Sequence, residues 1–277
     1  MKKRALLVGI NNYRSINDLQ GCINDVTNVR SILKTFFGFT NNDIRVLTDD
    51  RATKENILSR LKKMVKEAKT GDLLIFHYSG HGSQIRDRDN DELNDHMDEL
   101  ICPYDMNWDD GFITDDMLCI ILSELRKGVS MEIIFDCCHA GSGTREINPE
   151  RFTGPEAHGS VKNRLLCPPV DIECRYQGDE DQLKPAKSFR TDQRIILNHI
   201  LWAGCKDHQT SADALIDGFY NGAFSYYFCK HIRETSGNIS RTDLCARVKG
   251  SLKFNNFDQV PELECKNSLK VKKIFNL

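Results

Sequence analysis

The chain has 277 residues, 40% of them hydrophobic, enough to bury a sizeable core in one large domain or two small ones. Its 38 basic and 40 acidic residues leave a formal charge of −2, which excludes the broad basic field of a nucleic-acid binder. The basic start, Met1-Lys2-Lys3-Arg4, leads into an apolar run too short for a signal sequence, and no stretch approaches the roughly 20 apolar residues of a membrane helix; the chain reads as soluble and cytoplasmic, with no nucleic-acid and no membrane partner.

In chain order, an apolar run over 5–10 predicts a strand, and Val26, Val29, Ile32, Leu33 and Phe36 then recur at helical spacing. A second strand follows over 44–47. Ile57, Leu58, Leu61, Met64 and Val65 make the next helix, with Thr53 as its cap and Gly71 as its stop. The run over 73–78 is a third strand, and Met117, Leu118, Ile121, Leu122 and Leu125 a third helical face. A fourth strand spans 132–135.

From 144 to 192 no period survives, and five of the seven prolines fall there: Pro149, Pro155, Pro168, Pro169 and Pro185. This reads as a linker or surface excursion, of a length that is unusual inside a domain and often functional. Beyond it come a strand over 195–203 and two helical faces, one from Phe224, Tyr227, Phe228 and Ile232 and one from Leu244, Cys245, Val248 and Leu252. Strand and helix alternate, which predicts an α/β fold with a mostly parallel sheet and helices on both faces. The linker divides the chain into a larger part, 1–143, and a smaller part, 193–277, completing the same sheet. Eleven scattered cysteines are an odd number, and Cys22, Cys119, Cys229 and Cys245 sit within apolar patterns, as reduced core residues do.

Active sites of open α/β sheets collect at the carboxyl ends of strands. Two predicted strands end in reactive residues: one continues as His77-Tyr78-Ser79-Gly80-His81-Gly82, the other as Asp136-Cys137-Cys138-His139-Ala140-Gly141. Side chains alternate faces along a strand, so Ser79 shares a side with His81, and Asp136 with Cys138. A thiol and an imidazole on neighbouring strand tips can form a nucleophile and base without a metal. His139 would project to the opposite side.

These two motifs resemble the histidine and cysteine motifs of the metacaspases, caspase-like cysteine peptidases of clan CD, family C14. Further stretches match in order: ALLVGINNY at 5–13, LQGCINDV at 19–26, DELICPYD at 98–105, ITDD at 113–116, AGCKDHQTSAD at 203–213 and QVPEL at 259–263. The resemblance implies a caspase-like three-layer sandwich, with Cys138 as nucleophile, His81 as general base, and the backbone N–H groups of Gly82 and Cys138 as oxyanion donors. It also implies a pocket lined by Cys22, Asp25, Ser79 and Asp136 for the residue before the cut. Two carboxylates and no basic side chain suit arginine or lysine, so the expected partners are proteins or peptides cut after Arg or Lys. A basic residue in that hollow would remove the preference.

The resemblance further implies calcium activation through acids matching Asp98, Asp115 and Asp116, with Arg145 at the fourth matched position and Glu146 beside it. No cofactor is needed for the chemistry itself. The acidic segment 87–98 only superficially follows an EF-hand loop, since it lacks the glycine at the sixth position and the glutamate at the twelfth. Self-cleavage is expected in the linker, where Lys162, Arg164, Arg175, Lys184, Lys187 and Arg190 match the specificity. Relatives of this type resemble monomers. The alternative is a caspase-like interaction module without catalysis; a related enzyme preferring aspartate or asparagine would make little use of two carboxylates.

Overall fold

The computed structural model describes residues 1–86, 97–138, 161–172, 199–206 and 209–276. Outside the described residues lie His139, Glu146, Arg175, Lys184, Lys187, Arg190, most of the acidic segment and the start of the run predicted over 195–203.

A six-stranded sheet has the spatial order β12-β9-β7-β3-β1-β2, where β1 is Lys3–Gly9, β2 Ile44–Thr48, β3 Leu73–Ser79, β7 Ser130–Asp136, β9 His199–Ala203 and β12 Glu262–Glu264. All neighbours run parallel except β12, which pairs antiparallel with β9 at one edge. Every residue of β3 is buried, because a parallel strand covered on both faces meets no water on either side.

Helices α1 (Cys22–Phe37), α4 (Ala223–Glu234) and α5 (Arg241–Phe254) cover one face, where Leu7, Ile75, Ile134 and Trp202 meet Val29, Phe228 and Val248. Helices α2 (Lys54–Lys66) and α3 (Asp115–Ser123) cover the other, on Leu6, Val8, Phe76 and Ile133. The predicted cap is present: the Thr53 side chain accepts from the Asn56 N–H. This is the caspase-like α/β sandwich. A short helix α6, Asn267–Lys270, follows β12.

Two small sheets have no counterpart in the sequence reading. Strands β4 (Gly82–Arg86), β5 (Met97–Ile101) and β6 (Ile113–Thr114) form one; β8 (Lys162–Asn163), β10 (Ala212–Ile216) and β11 (Phe219–Gly222) form the other. The second corrects the expectation of a surface excursion over 144–192. Its strand β8 belongs to that stretch, and the next residue, Arg164, is fully buried. No helix among the described residues is long and apolar enough to cross a membrane.

Candidate active site

Strands β3 and β7 pair so that Ser79 lies opposite Asp136 at their carboxyl ends. His81 and Cys138 each stand two residues past that pair. The Cys138 main chain passes so close to Gly82 that a Cβ on Gly82 would run into the Cys138 carbonyl, so only glycine fits there. The site therefore lies where two neighbouring strands stop together.

His81 is 3% exposed and its backbone is fixed by two buried tyrosines. Its N–H donates to the Tyr13 hydroxyl at 2.7 Å, and the Tyr78 hydroxyl donates to its carbonyl at 2.7 Å. The ring Nε2 lies 2.8 Å from the Asn17 carbonyl, which can only accept. That bond favours the tautomer with its proton on Nε2, in which Nδ1, with no hydrogen-bond partner of normal geometry, keeps its lone pair. Burial lowers the His81 pKa, against the opposing pull of the Asn17 and Arg164 main chains, which favours the neutral imidazole that a base requires. Cys138 is fully buried, its Sγ accepting from the Ser211 N–H at 2.6 Å and lying 3.4 Å from Asn163 Oδ1.

The four residues expected to line a pocket converge, but the expectation that no basic side chain stands among them is wrong: Arg164, from the stretch read as a linker, fills the hollow. The Arg164 Nη2 donates to Asp25 Oδ2 at 2.8 Å, and its Nη1 to Ser79 Oγ at 2.8 Å and to the Asp136 carbonyl at 2.9 Å. Nη1 also lies 3.2 Å from Asp136 Oδ1. Cys22 is fully buried within the guanidinium's field and hydrogen-bonded to Ser79, its thiol pKa pushed up by burial. Asp25 is raised to about 7, first by burial, with the Arg164 charge pulling the other way.

A third carboxylate, to which the sequence pattern gives no role, completes the set. Asp213, from β10, places Oδ1 3.2 Å from Arg164 Nη2 while its Oδ2 accepts from the Gln20 N–H at 2.7 Å. Asp213 lies inside the matched stretch 203–213, which was the available signal. The wall itself is held by amides. Gly222 N–H donates to both Asp25 oxygens at 2.9 and 3.1 Å, and Ser225 N–H to Asp136 Oδ2 at 2.9 Å, which tie the smaller part of the chain to the larger. Gly222 also lies against the guanidinium, since a Cβ there would stand 2.6 Å from Arg164 Nη1.

The main chain around Arg164 is gripped on both sides. Strand β8 pairs antiparallel with β10, Lys162 opposite Asp213 and Asn163 opposite Ala212, and the Arg164 N–H donates to the Ser211 carbonyl at 3.1 Å. The Arg164 carbonyl accepts from the Gly82 N–H at 2.9 Å. Arg164 is thus held on an extended strand, while the acids around its guanidinium come from other elements.

The residues matched to calcium ligands lie on neighbouring elements, since β5 pairs antiparallel with β6, which leads into α3. Asp98 is buried on β5, while Asp115 and Asp116 open α3 behind the Thr114 cap. Among the described residues no three histidine, cysteine, aspartate or glutamate side chains form a group fit to hold a metal ion.

A family model described as metacaspase, peptidase C14 domain, matches residues 3–145. Metacaspase-1 of Ajellomyces capsulatus is 35% identical, over 97% of this chain and 81% of its own length. Metacaspase-1A of Aspergillus terreus is 33% identical, over 99% and 73%. A crystal structure of a Geobacter sulfurreducens protein superposes with a TM-score of 0.72 at 23% identity, covering 100% of this chain and 99% of that one, a likeness of fold. The chain belongs to the metacaspases, cysteine-type peptidases of family C14.

Proposed function

We propose that this metacaspase hydrolyses peptide bonds after arginine or lysine, with Cys138 as nucleophile and His81 as base, and that its own bond between Arg164 and Leu165 is a substrate. One observation carries the reading: the Arg164 guanidinium sits among Asp25, Asp136 and Asp213 while the carbonyl of the same residue accepts from Gly82 N–H. A cation pocket and a donor on the adjoining carbonyl are what cleavage after a basic residue requires.

In this reading His81 Nδ1 takes the Cys138 thiol proton and the thiolate attacks the carbonyl carbon of the basic residue. The Gly82 and Cys138 N–H groups hold the developing oxyanion. His81 returns the proton to the departing amine, and a water molecule then hydrolyses the thioester with His81 again as base. Arg164 blocks the pocket until its own bond is cut or the strand is displaced.

A second reading has a specific observation behind it: with five polar contacts and no exposure, Arg164 could be a permanent counterion of the acids, as in a non-catalytic module. Intact mass spectrometry, beside a panel of peptides ending in Arg, Lys, Asp or Asn, separates the two. The wild type should yield fragments ending at Arg164 and starting at Leu165, Cys138→Ala should stay whole, and only Arg and Lys peptides should be turned over. A wild-type chain that stays whole and ignores Arg and Lys peptides overturns the proposal.

A further inference from the structure

We infer that the cleft also reads the substrate after the cut: it takes a chain extended along Gly82 and seats an apolar side chain on the second residue past the scissile bond. The inference rests on the reading of 162–166 as a substrate-like strand. Gly82 uses both of its main-chain groups on that strand, its N–H on the Arg164 carbonyl at 2.9 Å and its carbonyl on the Leu166 N–H at 2.9 Å. Together they form a parallel bridge between Gly82 and Leu165, so one glycine spans the bond to be broken.

Gly82 opens β4, which continues away from the site as part of the β4–β5–β6 sheet. A substrate therefore adds to β10 before the cut and to the start of β4 after it. Recognition by strand addition draws affinity from main-chain bonds and selectivity from whichever side chains face pockets. After the cut that side chain is Leu166: it packs against the apolar cluster that includes Tyr78, Ile85, Leu100 and Ile101, whereas Leu165 is not part of that cluster. The bond from Leu166 to Gly82 holds the leaving segment in line while the bond breaks. It also implies that a substrate ending in a dye directly after arginine lacks a grip that a longer chain has.

The test compares internally quenched peptides of sequence Lys-Asn-Arg-Leu-X, with X as Leu, Ala or Asp, on wild-type enzyme whose own linker bond has already been cut. Half-burying one leucine predicts a kcat/KM about five- to tenfold higher for Leu than for Ala, and a larger gap to Asp, whose charge would have to leave water. Replacing the residue directly after arginine by alanine should matter less. In the intact chain, Leu166→Asp should slow release of the fragment that begins at Leu165. Equal kcat/KM for Leu and Asp overturns this inference and leaves the preference for arginine standing. Failure to cut any of the peptides overturns both.

Discussion

The third carboxylate gives the sharpest test of the pocket. Replacing Asp213 by Asn keeps the shape and removes one negative charge 3.2 Å from the guanidinium, while the closer Asp25, at 2.8 Å, remains. A hydrogen bond to a charged acceptor contributes about 1.5–3 kcal/mol and a neutral one about 0.5–1.5 kcal/mol, so the exchange removes about 1–2 kcal/mol. That corresponds to roughly a five- to thirtyfold fall in kcat/KM for cleavage after arginine. The structure pushes the effect towards the upper end. Asp213 serves two donors at once, the guanidinium through Oδ1 and the Gln20 N–H through Oδ2, and an amide with a single oxygen can satisfy only one. Peptide kinetics should be run on enzyme already cut after Arg164, because the same substitution loosens the resident arginine and would raise the apparent rate of uncut protein. A fall of less than about twofold, or an equal fall with a neutral residue before the cut, would refute the assignment of Asp213 to the cation site.

Two other outcomes are expected. Burial holds Asp25 up to about 7 even with the Arg164 charge pulling it down, so a hollow emptied of Arg164 holds it no lower, and kcat/KM for arginine peptides should climb as pH rises through and above neutrality; Asp25→Asn should flatten the climb, and a flat wild-type profile would contradict it. Glu132, buried in the core, accepts from Arg241 Nη2 at 2.5 Å, from the Trp202 ring N–H at 2.9 Å and from Phe275 N–H at 2.8 Å, so Glu132→Ala strands a buried guanidinium and should lower unfolding free energy by about 3–5 kcal/mol in denaturant titration, a loss under about 1 kcal/mol counting against it.

How far the sequence carries depends on what stabilises each element. Strands β1, β3 and β7 are apolar along their length because both faces are covered, and such runs are visible without any structure. Their reactive ends are visible for the same reason, as His81 and Cys138 each follow a strand whose parity and register bring Ser79 opposite Asp136. Strand β8 leaves no such trace. It is two residues long, Lys162 and Asn163, both polar, and it exists because β10 offers a partner. Likewise β12 is three residues at a sheet edge, too short for a period to show.

Arg164 leaves no trace in the sequence pattern, and the reason lies in the energetics of burial. A guanidinium in a proline-rich polar stretch belongs in water by every local rule, since burying it unpaired is prohibitive. Its position inside the protein is decided by carboxylates from three separated places: Asp25 in the first turn of α1, Asp136 at the tip of β7 and Asp213 on β10. Asp25, Asp136 and Asp213 would be equally untenable there without a cation, so neither partner's burial makes sense alone. The acids and Arg164 are complementary for one physical reason: buried acids must be compensated, and a linker arginine compensates them, a place that the proposed function gives in turn to a substrate's basic side chain. The main chain bears on the choice between a permanent counterion and a substrate-like occupant: Arg164 is presented on an extended strand, with its carbonyl on Gly82 N–H and the Leu166 N–H on the Gly82 carbonyl, which is the arrangement the proposed cleavage uses.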